Sequence, residues 1–204
     1  MKIVLFGIQG SGKGTQAKLL AKELNLAHIS TGDLFRSLSG ELKTKVDAII
    51  NQGNLVPDEL TLEILKERMS LPDCNNGFIL DGFPRNIKQA EMLNQITEID
   101  FAIEISISDE ESMKRLLGRR SCKPCNKEYN INIPFLAPKN GELCDLCKKP
   151  LFKRADDNES GIAKRLEIYH NDTEPMLKYY KSIKINGEQS IEAVFADIVK
   201  SIKN

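Results

Sequence analysis

An α/β fold with a parallel sheet covered by helices on both faces is predicted by three observations. Short runs rich in β-formers alternate with helical patterns along most of the 204 residues, the signature of crossover-connected parallel strands. The first run, Lys2–Phe6, passes at once into Gly7, Gly10, Gly12 and Gly14, with Lys13 among them, and then into a helical pattern from Lys13 to Glu23. Finally, this turn, Asp33 and Asp81 all fall just beyond predicted strand ends, where open parallel sheets gather their ligands.

The elements follow in order. After the first strand and helix, His28–Ser30 reads as a short second strand, and Phe78–Leu80, entered from Asn75-Asn76-Gly77, as a third. Asp100–Ile107 (DFAIEISI) is a longer strand, and Ser182–Ile185 completes the set. Helices are expected at Asn86–Gln95, Asp109–Leu117, Glu159–Tyr180 and Ser190–Ile202. Two segments break the alternation. Thr31 to about Leu60 is mostly helical with a break at Asn51–Pro57, and Arg119 to about Ala155 carries four cysteines, four prolines and no long periodic helix. Both read as insertions at the mouth of one cleft.

Charges balance at 29 basic against 29 acidic residues, so no global field favours nucleic acid or an anionic membrane. An apolar content of 41% supports a substantial core, and no run approaches the roughly 18 apolar residues of a membrane span. Met1 and Lys2 lead directly into the first strand, leaving no room for a signal peptide; a cytoplasmic location is the default expectation.

The glycine turn carries the chemistry. Glycines let backbone N–H groups curl toward one point, and the following helix N-terminus adds positive potential there. Gly7 to Lys13 matches G-x-x-x-x-G-K, with Gly14 where Ser or Thr usually follows and Thr15 one place later. A ligand-free glycine turn is the alternative; strand, loop, lysine and helix in sequence favour a nucleotide-phosphate site. Cys122, Cys125, Cys144 and Cys147 form two C-x₂-C pairs eighteen residues apart, a spacing suited to one tetrahedral zinc. Disulfides are the alternative, disfavoured in a reducing compartment. Four protein ligands leave no open position, so the metal would be structural, holding together a segment too small for its own core. Cys74 has no assigned role.

Asp81-Gly82-Phe83-Pro84-Arg85 places a carboxylate at a strand end, suited to Mg²⁺, and an arginine able to grip a phosphate; a turn with a surface ion pair is the alternative. Thr31-Gly32-Asp33-Leu34-Phe35-Arg36 reads either the same way or as a helix start capped by Thr31 with Arg36 in solvent. Arg115, Arg119, Arg120, Arg154 and Arg165 bracket the cysteine segment. Each could be a solvated surface cation, but together they suit phosphoryl transfer, which needs alignment and charge stabilisation above all. His28 and His170 sit in no chemical motif and read as structural.

GIQGSGKGT (7–15), STGDLFR (30–36), DGFPRNIKQA (81–90), LLGRR (116–120) and KRLEIYH (164–170), in this order over nearly the whole chain, closely resemble adenylate kinase of the long-lid, zinc-bearing type. The resemblance implies a P-loop NTPase three-layer fold: a CORE of residues 1–30, 61–118 and 156–204, a helical NMP-binding insertion of 31–60, and a zinc-ribbon-like LID of 119–155. It implies the reaction MgATP + AMP ⇌ 2 ADP in a monomer that closes over its nucleotides and binds neither nucleic acid nor membrane. Gly10, Ser11, Gly12, Lys13, Gly14 and Thr15 would wrap the ATP phosphates. Arg119, with Arg115 nearby, would contact ATP, and Glu128, Tyr129 and the backbone near Gln189 would flank its ribose or adenine. Thr31, Arg36, Asn54, Leu55, Val56, Gly82, Phe83, Pro84, Arg85 and Gln89 would surround AMP, with Arg36 and Arg85 on its phosphate and Gln89 facing adenine. Arg154 and Arg165 would bridge both phosphate groups and, with Lys13, Arg85 and Arg119, form the catalytic set. Asp33 and Asp81 would hold water around Mg²⁺, and Asp156 and Asp157 would anchor the lid arginines.

The chain departs from the family pattern at Gln9, where a proline is common, at Gln189, where a lysine is frequent, and at Pro57, where threonine is frequent. Two other readings stand beside this one. A kinase acting on UMP, CMP or a deoxynucleotide would share the cradle and differ at the acceptor base; a zinc-ribbon interaction module on a P-loop scaffold would bind nucleic acid or another partner. Thr31, Gln89 and the long lid favour adenine by resemblance.

Overall fold

The computed structural model describes residues 1–52 and 54–203; Gly53, within the expected NMP-binding insertion, and Asn204, at the end of the expected CORE, lie outside the described residues. Five parallel strands, β1 (Lys2–Phe6), β2 (Ala27–Ser30), β3 (Phe78–Asp81), β4 (Phe101–Ser106) and β7 (Ile183–Asn186), form a sheet in the order β2-β3-β1-β4-β7. β1 is central, pairing Val4 with Leu80 of β3 and with Ala102 of β4. Side chains alternate across a strand. Val4 and Phe6 therefore join Leu80, Phe83, Leu93 and Met176 on one face, while Ile3 and Leu5 join Leu20, Ile103, Ile105 and Ile198 on the other. The sheet is covered on both sides, as expected.

The helices are α1 (Lys13–Leu24), α2 (Thr31–Ser37), α3 (Gly40–Asn51), α4 (Asp58–Met69), α5 (Ile87–Asn94), α6 (Asp109–Gly118), α7 (Glu159–Ile168), α8 (Glu174–Tyr179) and α9 (Ile191–Lys203). Serine and asparagine oxygens cap several of them, among them Ser30 on α2, Asn86 on α5, Ser108 on α6 and Asn158 on α7.

Three local expectations change. The cap of α2 is Ser30, whose hydroxyl accepts from the Asp33 N–H, while Thr31 is buried. Helix α4 was not legible because Leu60, Leu62 and Ile64 alternate as strand residues do; Thr61, Leu62 and Leu65 are nonetheless its buried positions. The single helix expected over Glu159–Tyr180 is broken by a wide π-type turn at Tyr169–Thr173. Pro175 follows in the first turn of α8 and has no N–H to continue the regular ladder.

The two insertions have small apolar clusters of their own. Phe35, Val46 and Val56 are buried together around α2 and α3. Residues 119–155 add a two-stranded antiparallel sheet, β5 (Arg119–Ser121) with β6 (Glu128–Asn130), whose cluster is Cys122, Tyr129 and Cys144.

Candidate active site

The glycine turn leaves β1 at the centre of the sheet, where the chain crosses to β2 on one side while the neighbouring β3 crosses past β1 to β4 on the other. Gly7, Gly10 and Gly12 have φ of 139°, 82° and 96°, a region that side chains avoid. At Gly7 the approach is also too close for a side chain, since a Cβ would lie 2.3 Å from the Ile105 carbonyl oxygen. No side chain caps α1 at Gly12; the first N–H groups of a helix have no partner within it, so they are available to an anion. Lys13 folds back over the loop and donates to the carbonyls of Gly7 (2.6 Å) and Ile8 (2.9 Å). Burial pushes its ammonium down to about 8; Asp81 opposes the shift, and Arg85 and Arg119 add to it.

Asp81 ends β3 beside the loop, its Oδ2 3.4 Å from where a Cβ on Gly14 would stand. Burial works to raise its carboxyl, but His28, Lys13 and Arg85 outweigh that and hold it below the ordinary aspartate range. His28, which the sequence offered only as structural, lies with Nε2 3.6 Å from Asp81 Oδ2. The pairing of Ser30 with Asp81 across β2 and β3 brings them together, and nothing in the local sequence announces that register.

Past Asp81 the chain turns through Gly82 (φ 87°) and a cis Phe83–Pro84 bond. Arg85 Nε donates to the Gly82 carbonyl at 2.7 Å, and Thr31 Oγ1 donates to the same oxygen at 3.0 Å. Gln89 is buried: its Oε1 accepts from the Arg85 N–H (2.7 Å) and its Nε2 donates to Asp58 Oδ1 (2.7 Å). Asp58 was missed because α4 was missed. Arg36 pairs with Asp33 at 2.5 Å on the exposed side of α2, so Asp33 faces its own helix neighbour in this conformation. Val56 is buried against Phe35 and Val46, and the Asn54 N–H donates to Ile49.

Arg119 and Arg165 converge on one carboxylate. Arg119 grips Asp157 through Nε (2.8 Å) and Nη2 (2.7 Å), and Arg165 reaches the same carboxylate at 3.0 Å and Asp156 at 2.9 Å. Asp157 has no exposed side-chain surface. Arg154 pairs with Glu128 at 2.8 Å, and Glu128 also accepts from Ser121. Arg115 donates to the carbonyls of Gly10 (3.4 Å) and Gly187 (3.1 Å). Gln189 is exposed, held by the Asn186 carbonyl and Asp197. Tyr129 has its ring buried among the cysteines and its hydroxyl 3.4 Å from Cys144 Sγ.

These positive groups repel one another. Burial and Arg154 lower the pKa of Arg119; burial, Arg165 and Arg36 lower that of Arg85. The lysine and arginines thus share one electrostatic field, with Asp81 and Asp157 among them; guanidinium groups in such a setting are chemically suited to phosphates.

The four sulfurs of Cys122, Cys125, Cys144 and Cys147 lie within 4.8 Å of one another. Zn–S bonds of roughly 2.3 Å in a tetrahedron place sulfurs about 3.8 Å apart. Each pair sits on the same turn: Cys122 N–H donates to Lys127 and Cys144 N–H to Lys149, both at 2.9 Å, with positive φ at Asn126 and Lys148. Two like turns facing each other fit one tetrahedral thiolate-bound ion. Among the described residues, no helix is long and apolar enough to cross a membrane.

Known proteins show the same likeness. The family model described as adenylate kinase matches residues 5–185. The chain is 44% identical to the adenylate kinase of Methanocella arvoryzae, over 100% of this chain and 99% of that protein. It is 43% identical to that of Acetivibrio thermocellus (99% and 98% covered) and 43% identical to that of Bacillus cytotoxicus (97% and 96%). With the glycine loop, the crowded arginines and the four-cysteine cluster already in place beside a parallel sheet, a match of this extent leads to one assignment: the chain belongs to the adenylate kinase family.

Proposed function

We propose that the protein transfers the γ-phosphoryl group of MgATP reversibly to AMP, giving two ADP. The observation that carries this reading is the chain of mutually repelling cations, from Lys13 through Arg85 and Arg119 to Arg36, Arg154 and Arg165. Asp33, Glu128, Asp156 and Asp157 answer the four arginines other than Arg85; the phosphates of two nucleotides meeting end to end would answer Lys13 and Arg85 and compete for the rest.

In this reading the N–H groups of Gly10 to Thr15 and the Lys13 ammonium hold the donor phosphates, with Arg119 and Arg115 on the ATP side. Arg36 and Arg85 hold the acceptor phosphate, Thr31, residues 54–56 and Gln89 the AMP nucleoside, and Gly82 to Pro84 shape the turn between the two sites. Arg154 and Arg165 span the transferred group. Glu128, the Tyr129 backbone and the backbone near Gln189 border the ATP ribose and base. Asp81, an ionised carboxylate beside Lys13, suits the water shell of the Mg²⁺ that enters with ATP, and Asp33 joins it when its pairing with Arg36 is exchanged for nucleotide contacts. The acceptor is a phosphate with its second pKa near 6, largely ionised at pH 7, so the reaction needs no general base. It needs alignment, charge stabilisation and dryness, which closure of residues 119–155 and 31–60 over a CORE of 1–30, 61–118 and 156–204 supplies. The protein works as a monomer in the cytoplasm.

The test is a coupled assay offering ATP with AMP, UMP, CMP and dTMP in turn. AMP is expected to be phosphorylated at least ~100-fold faster than the others, since the buried Gln89–Asp58 pair gives the acceptor pocket a fixed hydrogen-bonding wall. Preference for UMP or CMP would overturn the assignment of AMP.

The lid metal is zinc, held by Cys122, Cys125, Cys144 and Cys147 without a catalytic role. One zinc per chain is expected by metal analysis. Its removal with a mercurial and chelator should lower the first melting transition by about 10 °C; an unchanged melting curve after complete removal would refute the structural role.

A further inference from the structure

A serine inside a helix usually returns its hydroxyl to a carbonyl of its own preceding turn. Ser112, on α6 and fully buried, does not: its Oγ donates at 2.6 Å to the carbonyl of Gln9, in the phosphate loop. The two surfaces are in contact, since a Cβ on Gly10 would lie 3.3 Å from the Ser112 carbonyl oxygen and from Leu116 Cγ. The helix is itself anchored at its start, where Ser108 caps Glu111 and both the N–H and the hydroxyl of Ser108 donate to Glu188 at 2.7 Å.

In a trans peptide the carbonyl of one residue and the N–H of the next point in opposite directions. A grip on the Gln9 carbonyl therefore turns the Gly10 N–H away from α6 and toward the cradle. That N–H donates to no protein acceptor among the described residues, whereas the Ser11 N–H closes a turn onto Ile8 at 3.2 Å. The Gln9–Gly10 peptide turns about ψ of Gln9 and φ of Gly10, and Gly10, at φ 82°, carries no side chain to restrain it. Without an outside hold that peptide would rotate readily. Arg115 adds only a long contact, 3.4 Å, to the next carbonyl.

We propose that Ser112 is a positioning residue for the donor site: its hydroxyl fixes the Gln9–Gly10 peptide so that the Gly10 N–H is aimed at the triphosphate before ATP arrives. The inference rests on the phosphoryl-transfer reading above for the identity of the anion. It predicts a selective effect, because a loop that spends less time in the binding arrangement loses affinity in proportion while the acceptor wall of Arg36, Arg85 and Gln89 is untouched.

The experiment measures binding of inorganic triphosphate and of MgATP by calorimetry, together with both KM values, for the parent protein and Ser112→Ala. Alanine is a good helix residue, so the variant is expected to fold, and its melting curve verifies this. Affinity for triphosphate and ATP should fall about five- to tenfold, the worth of one buried hydrogen bond, with the KM for AMP and kcat within twofold of the parent. Unchanged triphosphate affinity in Ser112→Ala, or equal losses for ATP and AMP, would overturn the proposal. A parent protein that binds triphosphate but does not phosphorylate AMP would overturn the kinase reading alone.

Discussion

Lys13→Ala is expected to lower kcat about 10²- to 10³-fold, the usual loss when a donor aimed at developing charge is removed, with little change in melting temperature. The lysine is half-buried; among the described residues its ammonium donates to the Gly7 and Ile8 carbonyls, and water can take its place on those oxygens. The structural cost is thus small and the catalytic cost large. Stopped-flow or steady-state turnover checks this, and a kcat within about threefold of the parent would remove Lys13 from the reaction. The pH dependence provides an independent view. In the empty protein the ammonium titrates near 8; bound triphosphate favours the charged form and raises that value. Below pH 8 the cation is already present and ATP affinity is flat. Above pH 8 the protein must take up a proton to bind, so the KM for ATP should climb up to tenfold per pH unit. Lys13→Ala should abolish that slope.

Asp157→Ala should be the most damaging substitution for stability. The carboxylate is fully buried and accepts from both Arg119 and Arg165, so its removal leaves two arginines facing each other without their shared counter-ion. Breaking a buried ion pair from one side costs about 3–5 kcal/mol, or roughly 10 °C in melting temperature for a chain of this size. Turnover should fall as well, because the same carboxylate fixes the direction of both guanidinium groups. Differential scanning calorimetry and kcat are the measurements; a melting temperature within 1 °C of the parent would show that the arginines find other partners.

Much of the donor site was legible because its information is local. The strand, the glycines with positive φ, Lys13 and the helix start lie within fifteen consecutive residues. The two cysteine pairs are equally compact, each on a six-residue turn, Cys122–Lys127 and Cys144–Lys149. What was not legible depends on residues far apart in sequence. Helix α4 was obscured by alternating leucines, and with it Asp58, which holds Gln89 across 31 residues. His28 reaches Asp81 only through the register of β2 with β3. The ring of Tyr129 lies against the cysteines, a contact that only the fold of residues 119–155 sets.

The parallel α/β sheet, the glycine loop, the four-thiolate cluster and the family can all be read from the order of residues, since periodicity, glycine conformation and ligand spacing act within one turn or one strand. Which carboxylate each arginine answers, which carbonyl Ser112 holds, and that Lys13, Arg85 and Arg119 share one field follow from the folded chain and nothing less. Electrostatic and hydrogen-bond partnerships fall off within a few ångströms, and only the folded chain sets which residues come that close.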